Sequence, residues 1–168
     1  MNKMKFVRSL SMVIVCLIFA AALVACSAAT TAKPTTAGTA SDASSGGEGI
    51  FINKDEITDQ AKFIPYEARN VKMEIIAVKA PDGSIRTAFN TCQVCYDSGA
   101  GYYEQSGDKL ICQNCGNKFN ISQIEKEKNG CNPVPILEGD KKDDGATITI
   151  AADFLEKYKE LFSNWKTN

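Results

Sequence analysis

The chain has no histidine among its 168 residues. That absence removes Ser-His-Asp and Cys-His nucleophilic catalysis, HExxH metal sites, zinc fingers of the two-cysteine, two-histidine kind, and every histidine-ligated haem or copper site. Excess charge of one sign is missing too: 19 basic side chains face 20 acidic ones, and the only concentrated basic residues lie at the extreme N-terminus. Without a basic face there is no electrostatic footprint for a phosphate backbone, so nucleic acid is not an expected partner. No apolar run reaches the roughly 20 residues of a good membrane-spanning helix. What the chain does have is cysteine: seven in all, five of them in the 40 residues from Cys92 to Cys131. At 18.2 kDa it can form one ordinary domain with appendages, not a large multidomain enzyme.

Residues 1–25 place Lys3, Lys5 and Arg8 ahead of an apolar run from Met12 to Ala22, the order of a secretory signal peptide. Cys16 lies inside that run and reads as a small hydrophobe removed with it. The following Leu23-Val24-Ala25-Cys26 resembles the lipobox of bacterial lipoproteins, which implies cleavage before Cys26 and acylation of its thiol. Two or more acyl chains anchor stably, since each buried methylene adds about 0.8 kcal/mol. The expected location is therefore the bacterial cell envelope, outside the cytoplasm and lipid-anchored to membrane. Loss of the three basic signal residues leaves four more acidic than basic side chains in the exported part. Residues 26–48 are mostly Ala, Ser, Thr and Gly with no large apolar side chain, and such a tract cannot offset its own ordering entropy. It reads as a flexible tether, with an r.m.s. span of about 25 Å.

Residues 49–168 read as a single domain of α+β class, mainly antiparallel β. Ile50 to Asn53 is an expected strand. VKMEIIAVK, residues 71–79, alternates as a second, and Ala80-Pro81-Asp82-Gly83 turns it into a partner from Ser84 to Phe89. Another hairpin is expected from Gly101 to Glu104 and Lys109 to Cys112, around Ser106-Gly107-Asp108. Asn120 suits the cap of a short helix running to about Lys128, with Gly130 as its stop, and Thr147 to Ile150 suits a late strand. Phe154, Leu155, Tyr158, Leu161, Phe162 and Trp165 lie on one face of an expected C-terminal amphipathic helix that packs on the sheet. The Tyr102-Tyr103 pair reads as strand packing, and Asp140, Lys141, Lys142, Asp143 and Asp144 as a solvated charged turn. No acid-base pair stands out.

Cys92-Gln93-Val94-Cys95 and Cys112-Gln113-Asn114-Cys115 form C-x2-C-x16-C-x2-C. Each x2 loop can fold into a knuckle that aims two thiolates at one metal, and the hairpin between the pairs can bring the knuckles together in a zinc-ribbon or rubredoxin-like site. Four thiolates suit Zn2+, a single iron or an iron-sulfur cluster alike. Two structural disulfides, or a thioredoxin-like exchange pair, are the rival readings in an exported protein. Haem attachment is excluded, because Tyr96 and Gly116 stand where histidine is needed. Cys131 is an odd fifth thiol, either a buried small residue or a participant in the site.

From Asp82 to Pro135 the pattern DG-x-IR-x-AF-x-x-C-x-x-CY, then GY, C-x-x-CG-x-x-F and GCNPVP resembles the FtrD-like membrane iron-sulfur protein family. The resemblance implies an iron-sulfur or iron centre ligated by Cys92, Cys95, Cys112 and Cys115, with Cys131 a candidate participant. It also implies association with a ferrous-iron permease or a membrane redox partner, with the lipid on Cys26 standing in for the spanning helices of other members. The expected function is iron transport or associated electron transfer, not free-standing hydrolysis or synthesis. A structural four-cysteine zinc module for interactions and a thiol-disulfide redox protein are the alternatives.

Overall fold

The computed structural model describes residues 44–45, 47–128 and 130–167. The signal peptide, Cys16, Cys26 and most of the tether lie outside these residues. Among the described residues, eleven strands form three sheets: β1 Ser44–Ser45, β2 Ile50–Asn53, β3 Lys62–Ala68, β4 Val71–Lys79, β5 Ile85–Cys92, β6 Tyr103–Ser106, β7 Lys109–Cys112, β8 Lys118–Asn120, β9 Pro133–Pro135, β10 Lys142–Asp143 and β11 Thr147–Ile150. The central sheet has the order β1-β3-β4-β5-β9, flanked by β10-β11-β2 and by β6-β7-β8. Every pairing is antiparallel except that of β1 with β3.

The central sheet is covered on both faces, and the period-2 pattern of its strands shows how. Successive side chains of a strand point to opposite faces. Ile75, Ala77 and Phe89 therefore join one core with Ile50, Ile52, Ile148, Ile150, Leu155 and Phe162. Their neighbours Ile76, Val78 and Ala88 join a second core with Leu110, Phe119, Ile121, Cys92, Cys95 and Cys112. A strand covered on both sides is apolar or internally bonded throughout, and β5 is buried without a break from Thr87 to Cys92. The second core is the one that carries the chemistry.

Ile50–Asn53, Val71–Lys79 and Thr147–Ile150 are strands at the expected bounds. The turn after β4 closes with the Gly83 N–H donating to Ala80 carbonyl oxygen over 2.9 Å, with Gly83 at φ 82°. β5 continues past Phe89 to Cys92, because β9 pairs along it with a register shift between those two residues. The expected helix from Asn120 to Lys128 is a single 3₁₀ turn, Ile121–Gln123. Its Asn120 cap is real, but Glu125 turns to φ 67° and ends any helical run. That turn sends the Glu125 carboxylate inward to accept from the Thr87 N–H at 2.6 Å and from the Lys141 ammonium. Lys141 is accordingly buried against Glu125 and not part of a solvated turn, whereas Asp143 pairs at the surface with Lys54 over 2.7 Å.

The C-terminal helix is also shorter than expected: α1 spans Ala152–Lys157, and a 3₁₀ segment Lys159–Phe162 follows. Tyr158, at φ −103° and ψ 0°, leaves the helical region. The break lets Tyr158 stack on Phe89 at 4.8 Å while Phe162 meets the same ring edge-on at 6.0 Å. The apolar stripe still packs on the sheet, as its spacing requires; only its helical geometry yields to ring contacts. No helix among the described residues is long and apolar enough to cross a membrane.

Candidate metal centre

The two Cys-x-x-Cys pairs sit on different sheets. Cys92 ends β5 of the central sheet, and Cys112 ends β7 of the β6-β7-β8 sheet. The hairpin between the pairs does not bear both knuckles; it folds back so that its end lies over the end of β5. Three bonds fasten this fold-back: Cys92 N–H to Gly101 carbonyl oxygen, 2.6 Å; Gln113 N–H to Tyr102 carbonyl oxygen, 2.8 Å; and Tyr103 N–H to Asn90 Oδ1, 2.7 Å. Asn90 is fully buried and also donates to Glu74 Oε1 at 2.7 Å, so its amide is satisfied where it bridges the two sheets. Gly101 is required at this crossing, since a Cβ there would lie 2.2 Å from the Cys95 carbonyl oxygen.

Cys131 arrives by a third route. The chain enters β9 at Pro133, which is paired with Cys92, and Asn132 carbonyl oxygen accepts from the Gln93 N–H at 3.0 Å. Cys131 is thereby set with its Sγ 3.6 Å from Cys95 Sγ and 3.2 Å from Cys115 Sγ. Asn117 Nδ2 holds its carbonyl oxygen at 2.7 Å. The sulfurs fall into two groups of three, each within 4.8 Å: Cys92, Cys95 and Cys112, all buried, and the buried Cys95 with the exposed Cys115 and the half-buried Cys131. Cys95 belongs to both. All five are free thiols.

The knuckles point donors at the sulfurs. The N–H groups of Val94 and Cys95 donate to Cys92, those of Asn114 and Cys115 to Cys112, and that of Asn117 to Cys115. The Tyr103 hydroxyl is buried and finds no well-formed partner among the described residues; the group it bears on is the Cys92 sulfur. Burial acts to raise the Cys92 thiol, but the Tyr103 hydroxyl and the two N–H groups outweigh it and bring Cys92 below its ordinary value. At Cys115 burial is likewise outweighed, by the Asn117 N–H and the neighbouring thiols. Burial raises Cys95, and pushes Cys112 up to about 12. Cys131 rises because of its contact with Cys115 and then its burial. Two thiols favour ionisation at the expense of three, the pattern of like groups competing for negative charge in one place. A metal cation resolves that competition by holding thiolates together.

The donor set therefore fits a thiophilic metal or an iron-sulfur cluster: soft sulfur ligands, N–H donors to sulfur, and a buried hydroxyl in want of an acceptor. The sequence spacing found four of these residues and marked Cys131 as a candidate participant. It missed Tyr103 as a neighbour of the site, because strand propensity accounts for a tyrosine there equally well. It missed Asn90 because a lone asparagine carries no signal in one sequence. A cavity of about 680 Å3 lined by Lys54, Arg86, Glu125, Glu138 and Lys141 lies elsewhere and contains none of the cysteines. Compared with known proteins, residues 54–162 match the model of the family described as membrane iron-sulfur containing protein FtrD-like. No curated protein matches the chain.

Proposed function

The chain belongs to the FtrD-like family of membrane iron-sulfur containing proteins, and on that premise we propose that its cysteine cluster holds an iron-sulfur cluster or iron ion for electron transfer or iron handling beside a membrane transporter. The observation that carries this reading is the convergence of Cys92, Cys95, Cys112, Cys115 and Cys131, from three separate chain segments, on a site with N–H donors to sulfur. The bound group would supply one-electron chemistry through its iron. Cys92, Cys95, Cys112 and Cys115 are the ligands of the doubled motif, with Cys131 beside them. The buried Tyr103 hydroxyl would donate to Cys92 once that sulfur is a thiolate. Cys115 is exposed, which leaves a short path between the site and a docked partner.

In this reading Cys26 carries the lipid, residues 26–48 form the tether, and the domain works outside the cytoplasm against a ferrous-iron permease or a redox protein in the same membrane. The test is elemental analysis, acid-labile sulfide and a visible spectrum on anaerobically purified protein. Iron with a thiolate absorption band that bleaches on reduction supports the proposal. One colourless zinc per chain, retained through reconstitution with iron and sulfide, replaces it with the structural zinc module. Cysteines oxidised in pairs, with no metal, leave a disulfide protein.

A further inference from the structure

A single tetrahedral thiolate site sets its four sulfurs about 3.8 Å apart, given metal–sulfur bonds of about 2.3 Å. The four cysteines of the doubled motif do not form such a group here. Cys92, Cys95 and Cys112 do cluster, buried, and the place beside them is flanked by two thiols, Cys115 and Cys131, whose sulfurs are 3.2 Å apart and which both lie within 4.8 Å of Cys95. We propose that Cys115 and Cys131 share one coordination position, so that the centre has three fixed thiolates and a fourth that exchanges between two side chains at the surface.

Three features favour exchange. First, Cys92 and Cys112 each receive two backbone N–H donors, whereas Cys115 receives one and Cys131 has none of its own. Cys92 and Cys112 are held by their knuckles, and Cys95 is held instead by the Asn114 side chain. Second, Asn117 links the outer two: its N–H donates to Cys115 sulfur and its side chain to Cys131 carbonyl oxygen, so one residue holds both within reach of the same place. Third, both outer cysteines adjoin a glycine at positive φ, Gly116 at 70° and Gly130 at 82°, with nothing within 4 Å of a Cβ built on either. Cys115 is exposed and Cys131 half-buried, whereas Cys92, Cys95 and Cys112 are buried, so the outer pair is the part of the cluster that solvent reaches. The consequence is a metal with one labile thiolate on its solvent side, the arrangement needed to receive or release an ion without dismantling the buried ligands. One metal–sulfur bond breaks as the other forms, the incoming thiol gives up its proton and the displaced thiolate takes one up, so the exchange leaves charge, protons and electrons unchanged.

This sharing rests on the cysteines holding a metal at all, and Co2+ as a probe separates the two questions. The full chain in detergent, reduced and anaerobic, is titrated with Co2+ and its thiolate-to-metal absorption recorded. If wild-type protein shows no cobalt-thiolate band, the metal reading itself falls, before any variant is made. Given a band, C115S and C131S should each keep a four-thiolate spectrum, with affinity lowered by less than about tenfold. The double variant should lose one thiolate's share of the band and bind at least about 100-fold more weakly. C112S alone should behave as badly as the double variant. If C115S abolishes the four-thiolate spectrum while C131S matches wild type, or the reverse, the position is not shared. A measurement on the unmutated protein guards against misfolded variants: alkylation of the cobalt-loaded chain followed by peptide mapping. Partial modification of both Cys115 and Cys131, together amounting to one thiol, supports exchange; complete modification of Cys131 with Cys115 protected overturns it.

Discussion

Replacing Tyr103 with phenylalanine removes one oxygen from a side chain that is 1% exposed and leaves its ring in the second core. In the metal-free protein that oxygen has no well-formed partner and faces a thiol, a weak acceptor. Its removal relieves an unsatisfied buried hydroxyl, so Y103F should be neutral or slightly more stable when metal-free, by up to about 1 kcal/mol. With metal bound, Cys92 is a thiolate, and the hydroxyl makes a charge-assisted bond worth about 1.5–3 kcal/mol. The two states thus respond with opposite sign, and metal affinity should fall about 10- to 100-fold. The assay pairs urea unfolding of the metal-free protein with Co2+ titration against a competing chelator at one pH. An unchanged affinity would show that the hydroxyl does not serve Cys92. Metal-free Y103F destabilised by as much as its affinity falls would show that it serves only packing.

Gly101→Ala puts a Cβ 2.2 Å from the Cys95 carbonyl oxygen, and the backbone must shift, at a cost of about 1–3 kcal/mol by denaturant unfolding; a wild-type midpoint would contradict the crossing described above. Phe89→Ala empties the space under Phe154, Tyr158 and Phe162 and should cost about 3–5 kcal/mol, while leaving the cobalt spectrum of the remaining folded protein unchanged because the ring faces the other core. In the metal-free protein burial pushes Cys112 up to about 12 from an ordinary 9.0, so the folded form holds this proton more tightly than the unfolded chain. The stability it contributes is present below pH 9.0 and is lost as pH rises toward 12; unfolding free energy that does not fall over that window counts against the burial argument. Cys26→Ser should move the protein from the membrane fraction to the soluble one, and unchanged membrane retention would remove the lipid anchor from the proposal.

The sequence by itself determined the elements that depend on local chemistry. Period-2 alternation marked β4, Pro81 and Gly83 marked its turn, Asn120 marked a cap, and the Cys-x-x-Cys spacing marked two knuckles, because each of these is settled within a few residues. The same locality explains what it could not show. β3, with Pro65 inside it, is held by pairing with β4 and not by its own propensity. The C-terminal stripe and the segment after Asn120 both read as helix, yet Tyr158 and Glu125 break them to reach Phe89, Thr87 and Lys141, partners 16 to 69 residues away. Only the tertiary structure decided that the knuckles come from different sheets, that β9 pairing delivers Cys131 between Cys95 and Cys115, and that Tyr103 closes the site from beneath. Ligand type is a property of residues and their spacing, whereas the number of sulfurs that meet, and which of them lie at the surface, follows from the pairing of strands distant in the chain.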